Sequence, residues 1–256
     1  MTRYRLLAIA ALVAMLASHA DVPARAHTSD LGCHEATAAI RQMHDNLAFP
    51  PYFSERNTTK RGGEFDANQI FEPLTHLTMR SGFTLDYVYH QDGMGGYPLL
   101  YARPVDQRPY LNEAEYKAAP KQPDYHSFVT PQDSAEGYFD YAVFAVTANQ
   151  FYLDWHANYN DWRILCSTAD IENVIRSLGE DSFGRPMTNA QQQAARAIPD
   201  PQPSVVLSDK SATVTMLVFT MWGGFYRRTL TINRADHSIV DEQDQPLVEY
   251  DCGVAF

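Results

Sequence analysis

Apolar and polar residues alternate most regularly in the segment "GFTLDYVYHQDGMGGYPLLYARP", residues 82–104. From Phe83 to Tyr89 an apolar or aromatic side chain occupies every second position, which is the period of a strand with one buried face. The glycines of "QDGMGG" favour a tight turn, and "PLLYAR" restores a strand pattern after it. The sequence therefore predicts an antiparallel hairpin here.

Short apolar runs separated by turn residues fill the C-terminal part of the chain and predict a strand meander. Its strands are predicted at residues 203–208, 212–221, 225–233, 237–241 and 246–254. Further strands are predicted at residues 138–147, 150–156 and 162–166, the last two paired in a second hairpin. Because the connections are short, neighbouring strands are expected to be antiparallel.

Helical spacing predicts an N-terminal helix over residues 34–47, which Pro50 and Pro51 end. Shorter helices are predicted at residues 67–77, 111–119, 167–178 and 188–198, with Asn112 and Ser167 as N-caps. The predicted fold class is α+β. It consists of one large, mostly antiparallel sheet of about nine or ten strands, with the N-terminal helix and several short helices packed on one face.

The N-terminal segment "MTRYRLLAIAALVAMLASHA" has the parts of a secretory signal peptide. A basic start precedes an apolar run of about 12 residues, which is shorter than the roughly 20 that span a bilayer. We expect residues 1–20 to be a signal peptide, with cleavage after Ala26 as the alternative, and the protein to be periplasmic or secreted. A single α+β domain is expected over residues 27–256, with an internal boundary or flap at residues 120–136.

Charge and composition narrow the range of partners. The formal net charge is −11, and such a surface repels phosphate backbones and anionic lipids. We therefore expect neither nucleic-acid binding nor binding to a membrane surface, and the short apolar run argues against a membrane anchor. The aromatic content of 12%, with 15 tyrosines, is enough for a sizeable core and suits a ligand groove. The expected partner is an unidentified small molecule, glycan or protein.

Three cysteines, Cys33, Cys166 and Cys252, are expected to form one disulfide after export. Cys166 and Cys252 both end predicted strands, so the favoured pair is Cys166–Cys252, although Cys33 is not excluded as a partner for either. "LGC" at Cys33 has the end of a lipoprotein box, but the apolar run stops too far upstream for that interpretation.

Familiar catalytic and metal-binding motifs are incomplete in this chain. "HEATA" lacks the second histidine of a zinc-protease helix, and "EDSFG" lacks the first glycine of a nucleophile elbow. "DWHANYND" lacks the glycine and glutamate of a calcium loop, and "QDGMGG" is followed by no phosphate-binding lysine. The sequence therefore predicts no cofactor and no metal.

The stretch "FYLDWHANYNDWRILC", residues 151–166, gathers the side chains that are best suited to chemistry. In strand register Trp155 faces the core, while Asp154 and His156 share the other face. Asp86 and His90 form a similar pair on the earlier strand. An Asp–His pair orients imidazole for base catalysis or binds a divalent metal. A purely structural interpretation is favoured, because polar residues such as Asp154 and His156 are expected on the exposed face of a sheet. In this interpretation the stretch is a hairpin in which Trp155 and Trp162 pair across the strands.

Two functions stay open on the sequence alone. The missing motifs favour a non-enzymatic exported domain that binds a ligand or partner through Asp86, His90, Asp154, His156, Trp155 and Trp162. The alternative is an envelope hydrolase that uses the carboxylates and imidazoles of the same set. Convergence of Asp86, His90, Asp154 and His156 in one concave pocket would favour the hydrolase.

Overall fold

The computed structural model describes residues 25–27, 31–55, 57–157, 162–180 and 184–253. The predicted signal peptide, residues 1–20, lies outside this part of the chain. In the described part, no helix combines the length and the apolar composition that a membrane span requires.

The helices begin with α1, Cys33–Asp45, which confirms the predicted N-terminal helix. The others are α2 Pro51–Ser54, α3 Glu113–Ala118, α4 Ala135–Thr147, α5 Thr168–Glu180 and α6 Asn189–Arg196. Asn112 caps α3 as predicted, because its side chain accepts a hydrogen bond from the Glu115 N–H. Two short 3₁₀ helices cover Ala67–Phe71 and Tyr125–Phe128.

The strands are antiparallel and divide into three sheets. They are β1 Arg25–His27, β2 Leu77–Met79, β3 Phe83–Gln91, β4 Gly95–Pro104, β5 Val129–Pro131, β6 Asp154–Trp155, β7 Arg163–Leu165, β8 Ser204–Leu207, β9 Ser211–Thr220, β10 Gly224–Asn233 and β11 Ile239–Glu249. The α+β class is confirmed, whereas the single large sheet is not. A six-stranded sheet has the order β1-β8-β9-β10-β11 with β7 also on β9, β3-β4-β6 form a second sheet, and β2-β5 form a third.

Residues 138–147 are helical, so the strand predicted there is wrong. They belong to α4, which the Ser134 side chain caps by accepting a hydrogen bond from the Gly137 N–H. Ten of the 13 α4 residues are buried, because the helix lies inside the core and carries apolar or aromatic side chains around most of its circumference. An apolar run without alternation has no period that separates a buried helix from a buried strand.

Both faces of the six-stranded sheet are covered, which corrects the expectation of helices on one face. Val218 and Leu230 belong to the core that contains α4. Leu217 and Phe219, which alternate with Val218 along β9, belong to a second core with the buried faces of α5 and α6. The sheet is therefore sandwiched between helices.

The two cores also explain why the predicted disulfide Cys166–Cys252 is wrong. Cys33 and Cys166 lie in the core that contains α4 and are bonded to each other, with their Cα atoms 5.9 Å apart. Cys252 is a free, buried thiol in the second core, on the other face of the sheet. Because a packed sheet separates Cys252 from Cys166, these two sulfurs have no route to each other.

Candidate functional site

The stretch 151–166 is not a hairpin, because its two ends join different sheets. Asp154 and Trp155 pair with Gly96 and Gly95 of β4. Residues 163–165 pair instead with residues 217–219 of β9 in the six-stranded sheet. The stretch therefore crosses from one sheet to the other, and the predicted pairing of Trp155 with Trp162 across a hairpin is wrong.

Left-handed backbone at two positions explains why residues 150–156 do not form a regular strand. Tyr152 has φ 52° and Trp155 has φ 48°, a region that non-glycine residues adopt rarely and at a cost in strain. The reversal at Trp155 turns its indole towards solvent, where 57% of the residue is exposed. The prediction that Trp155 faces the core is therefore wrong.

A pocket of about 560 Å³ opens where this crossing stretch meets the β9–β10 turn. We call it the tryptophan pocket. Its lining includes Asp92, Asn149, Gln150, His156, Trp162, Trp222 and Arg228. Its volume lies in the usual range for small-molecule sites.

All three tryptophans of the chain gather at this pocket. Trp162 and Trp222 line it, and the exposed Trp155 lies against His156, with the ring centroids 4.1 Å apart. The His156 ring is also stacked with Trp222 at 6.3 Å. His156 thus links two indoles, one on the rim and one in the wall.

Close approach of the crossing stretch to β4 depends on Gly95. A Cβ atom there would lie 3.0 Å from both the Ala157 nitrogen and the Asp154 oxygen. Because these distances are tighter than most real Cβ contacts, a larger residue at position 95 requires residues 154–157 to shift by a few tenths of an ångström. The glycine-rich turn, which the sequence marks as a hairpin turn, therefore also shapes the pocket.

The cation of the pocket, Arg228, is already paired. It is 8% exposed, and its Nε and Nη2 donate to Asp244 in two bonds of 2.7 Å. Glu242 lies 3.3 Å from the same guanidinium, and the guanidinium lies over the Trp162 ring at 4.0 Å. The carboxylates of Asp244 and Glu242 neutralise the charge of Arg228. The guanidinium therefore acts in the pocket through its contact with the face of Trp162, which it holds in place.

Asp92 brings negative charge to the rim. Its side chain accepts a hydrogen bond from the Met94 N–H at 2.9 Å, and this bond lowers the pKa of the Asp92 carboxyl. The carboxylate is therefore ionised at neutral pH. Together with the balanced Arg228, it makes the mouth of the pocket unattractive to anions.

Asp86, predicted as a site residue, lies in an ion-pair network away from the pocket lining. Its carboxylate accepts from Lys60 Nζ at 2.6 Å and from Arg103 Nε at 2.8 Å. Lys60 also lies over the Tyr87 ring, 4.7 Å from its centre. These contacts attach the loop that contains Lys60, just before the 3₁₀ helix Ala67–Phe71, to the three-stranded sheet.

His90 and Asp154 have partners of their own. His90 Nδ1 lies 2.9 Å from Glu113 at the start of α3, and Asp154 accepts a hydrogen bond of 3.0 Å from the Gln91 side chain. Of the four residues Asp86, His90, Asp154 and His156, the pocket lining includes only His156. The structure therefore does not bring the predicted Asp/His set together.

The sequence pattern missed several lining residues, among them Asp92, Asn149, Trp222 and Arg228. Trp222 lies two residues after the end of β9, beside the glycines of "MWGGF". A bulky aromatic at a glycine turn was the one signal that was available. Nothing in the sequence indicates that this turn meets residues 153–157.

Comparisons of the chain with protein-family models, with curated proteins and with solved structures found no match. The function proposed below therefore depends on the chemistry of the tryptophan pocket itself.

Proposed function

We propose that this protein is an exported, non-enzymatic binding protein whose tryptophan pocket holds a neutral, ring-shaped small molecule, with a saccharide as the favoured class. The observation that carries the proposal is the gathering of all three tryptophans around His156. Indole faces offer large, rigid contact areas for the apolar C–H faces of a sugar ring.

Polar groups beside the aromatic faces suit a hydroxylated ligand. Asp92 and Asn149 are exposed lining residues with planar oxygen-bearing side chains, which bind hydroxyl pairs well. Gln150 has a structural role instead: it donates to the Val146 carbonyl and accepts from the Trp162 N–H at 3.1 Å. It thereby holds Trp162 at the pocket wall.

Charge argues against an anionic ligand. Among the lining residues that the structure describes, Arg228 is the one permanent cation, and Asp244 and Glu242 balance it. The chain carries a net charge of −11, so a phosphate or carboxylate ligand would meet repulsion on approach. A neutral ligand meets no such barrier.

The alternative, a hydrolase that uses Asp86, His90, Asp154 and His156, has weaker support. Catalysis by a carboxylate and an imidazole needs both groups within hydrogen-bonding reach of one substrate. Asp86 and His90 are instead engaged by Lys60, Arg103 and Glu113. Only His156 remains at the pocket.

Export is part of the same proposal, and β1 favours one cleavage site. Arg25, Ala26 and His27 pair with Val206, Val205 and Ser204 at the edge of the six-stranded sheet. Cleavage after Ala26 would divide this strand, whereas cleavage after Ala20 would leave it whole. Intact-mass analysis of exported protein should therefore give a chain that starts at Asp21; one that retains Met1 would contradict export.

Tryptophan fluorescence tests the binding proposal directly, because every indole of the chain lies at the pocket. Purified protein is titrated with a panel of neutral mono- and disaccharides at millimolar concentration, and with inorganic phosphate for comparison. We expect a saturable change with at least one saccharide and none with phosphate. Trp222→Ala should abolish the response, with Trp155 and Trp162 remaining as reporters.

Val240→Ser is the matched control, because Val240 is an exposed apolar residue on β11 and is not part of the pocket lining. It should bind like the unaltered protein. The proposal fails if no saccharide changes the fluorescence, or if Trp222→Ala binds as tightly as the unaltered protein. Hydrolysis of a saccharide that is lost in His156→Ala would support the enzyme instead.

A further inference from the structure

Four side chains that commonly bind metals meet where α1 and α5 begin, away from the tryptophan pocket. Cys33 and His34 open α1, Cys166 precedes α5, and Asp170 lies in its first turn. The ligand atoms of His34, Cys166 and Asp170 all lie within 4.8 Å of one another. Cys33 joins this group through its bond to Cys166.

We propose that reduction of the Cys33–Cys166 disulfide creates a Zn²⁺ site, with one ligand each from Cys33, His34, Cys166 and Asp170. Two thiolates, an imidazole and a carboxylate form a ligand set that suits tetrahedral zinc. In the oxidised protein the sulfurs are bonded to each other and are not thiolates. The site therefore belongs to the reduced form alone.

The chemistry balances with a two-electron reductant such as a dithiol. The dithiol cleaves the bond between the two sulfurs, each cysteine gains one hydrogen, and the dithiol is oxidised to its own disulfide. Zn²⁺ then displaces one proton from each thiol as the Zn–S bonds form. Two protons are released for each metal ion bound.

The distances allow the site to close with small movements. Tetrahedral zinc at Zn–S of about 2.3 Å and Zn–N or Zn–O of about 2.1 Å places its ligand atoms roughly 3.3–3.8 Å apart. His34 Nδ1 and Asp170 Oδ2 are already 3.8 Å apart. The cysteine Cα atoms, 5.9 Å apart, allow the sulfurs to separate by side-chain rotation.

Burial gives the ion a way in and a dry interior. The side chains of His34 and Asp170 are 56% and 26% exposed, so they face solvent. Cys33 and Cys166 are buried behind them, at 1% and 2%. An ion that enters between the imidazole and the carboxylate therefore meets the thiols next.

Hydrogen bonds already orient these ligands. Asp170 Oδ2 accepts from the Cys166 N–H at 2.8 Å and from Ser167 Oγ at 3.1 Å, and a carboxylate keeps further lone pairs for a metal. The Thr37 hydroxyl donates to the Cys33 carbonyl at 2.7 Å, which fixes Thr37 Oγ1 3.7 Å from Cys166 Sγ beside the site. Such outer partners are the usual support of metal ligands.

Zinc and the disulfide would fasten the same two parts of the chain. Either link ties the start of α1 to the end of β7, across 133 positions of sequence. A chain that has not yet met an oxidising compartment would thus have a substitute for its cross-link. None of the four ligands lines the tryptophan pocket, so zinc binding and saccharide binding are tested separately.

The test uses the full chain reduced with a phosphine, which binds zinc weakly, and titrated with Zn²⁺ by calorimetry. We expect one Zn²⁺ per reduced chain and a higher melting temperature with the metal, and neither effect in the oxidised protein. His34→Ala and Asp170→Asn should each weaken binding by about tenfold or more. Asn keeps an oxygen for the bonds from Cys166 and Ser167, so this variant tests the metal ligand rather than the hydrogen bonds at the start of α5.

Cys252→Ser is the matched control, because Cys252 is the remaining thiol and lies in the other core. It should bind Zn²⁺ like the unaltered chain. Co²⁺ provides a second readout, since each bound thiolate adds charge-transfer absorption and Cys33→Ser should halve it. The proposal is overturned if oxidised and reduced protein bind Zn²⁺ equally, or if His34→Ala binds it as tightly as the unaltered chain. The His34→Ala variant is expected to fold, because the His34 side chain is exposed.

Discussion

Tyr87 and Tyr89 are two buried tyrosines on one strand that differ in a single hydrogen bond. Both lie on β3, with exposures of 1% and 0%. The Tyr89 hydroxyl donates to the Tyr152 carbonyl at 2.7 Å. Among the residues that the structure describes, the buried Tyr87 hydroxyl has no hydrogen-bond partner. Replacement of each by phenylalanine should therefore change the free energy of unfolding in opposite directions.

The rings keep their contacts in both variants, so the hydroxyl is what changes. Tyr89 stacks on Phe53 at 4.2 Å, and Tyr87 packs edge-on against Phe151 at 4.9 Å. Tyr89→Phe loses a bond and leaves the Tyr152 carbonyl unsatisfied, which should cost about 2 kcal/mol. Tyr87→Phe removes a hydroxyl that lost its water without compensation, which should gain about 1 kcal/mol.

Thermal and urea unfolding followed by circular dichroism measure the difference. A gap of about 3 kcal/mol, at roughly 2–4 °C per kcal/mol for a domain of this size, separates the two melting temperatures by about 6–12 °C. Burial raises the pKa of both phenols, so both stay protonated below pH 9 and the contrast should hold across that range. Equal destabilisation by both substitutions would refute the reasoning, because it would show that Tyr87 has a partner worth as much as that of Tyr89.

Three further predictions concern stability. Replacing Cys33 and Cys166 by serine should lower the free energy of unfolding by about 2–5 kcal/mol, measured by urea unfolding, because the bond closes a loop across 133 positions. Burial lowers the pKa of His44 to about 4. As the pH falls below about 6.5, the unfolded chain binds a proton at His44 before the folded chain does, so the folded state loses stability until about pH 4. In His44→Leu, the drop in the free energy of unfolding from pH 7 to pH 4.5 should be smaller by up to about 3 kcal/mol, measured by urea unfolding at both pH values. Trp155→Ala should change the free energy of unfolding by less than about 1 kcal/mol, because Trp155 is exposed. Trp162→Ala should lower it by about 2–3 kcal/mol, because Trp162 is half-buried and packs on Arg228. Thermal melts of the two variants measure the difference.

Local signals predicted the elements whose neighbours in sequence are also neighbours in space. The hairpin of β3 and β4 and the hairpin of β9 and β10 each consist of alternating strands around a glycine turn, so pattern and turn chemistry agree. The sequence predicts separate strands at residues 237–241 and 246–254, whereas the structure has one continuous strand there, β11 Ile239–Glu249. The polar residues in the middle of β11 have the composition of a turn, but they are exposed because β11 is the edge strand of the sheet.

Errors occurred where distant packing decides the structure. α4 has apolar or aromatic side chains around most of its circumference because it lies inside the core, and its residue pattern does not distinguish a buried helix from a buried strand. The cysteine pairing depends on which face of the six-stranded sheet each sulfur occupies. Cys166 alternates with Leu165 along the chain and so falls on the α4 side, while Cys252 packs beside Tyr250 in the other core. Spacing along the sequence carries no information about that choice.

The crossing stretch shows how a site can be marked by sequence and still be misread. Its density of aromatic and polar residues was a true signal, since His156 and Trp162 both line the tryptophan pocket. The assumed strand geometry then assigned Trp155 to the core, and the left-handed backbone at Trp155 reverses that assignment. Strain of this kind persists only where surrounding contacts hold it, and here it keeps an indole exposed beside His156. A regular strand has negative φ throughout, so the positive φ at Trp155, on a strand position at the pocket rim, favours a stretch shaped for binding over one shaped only for folding.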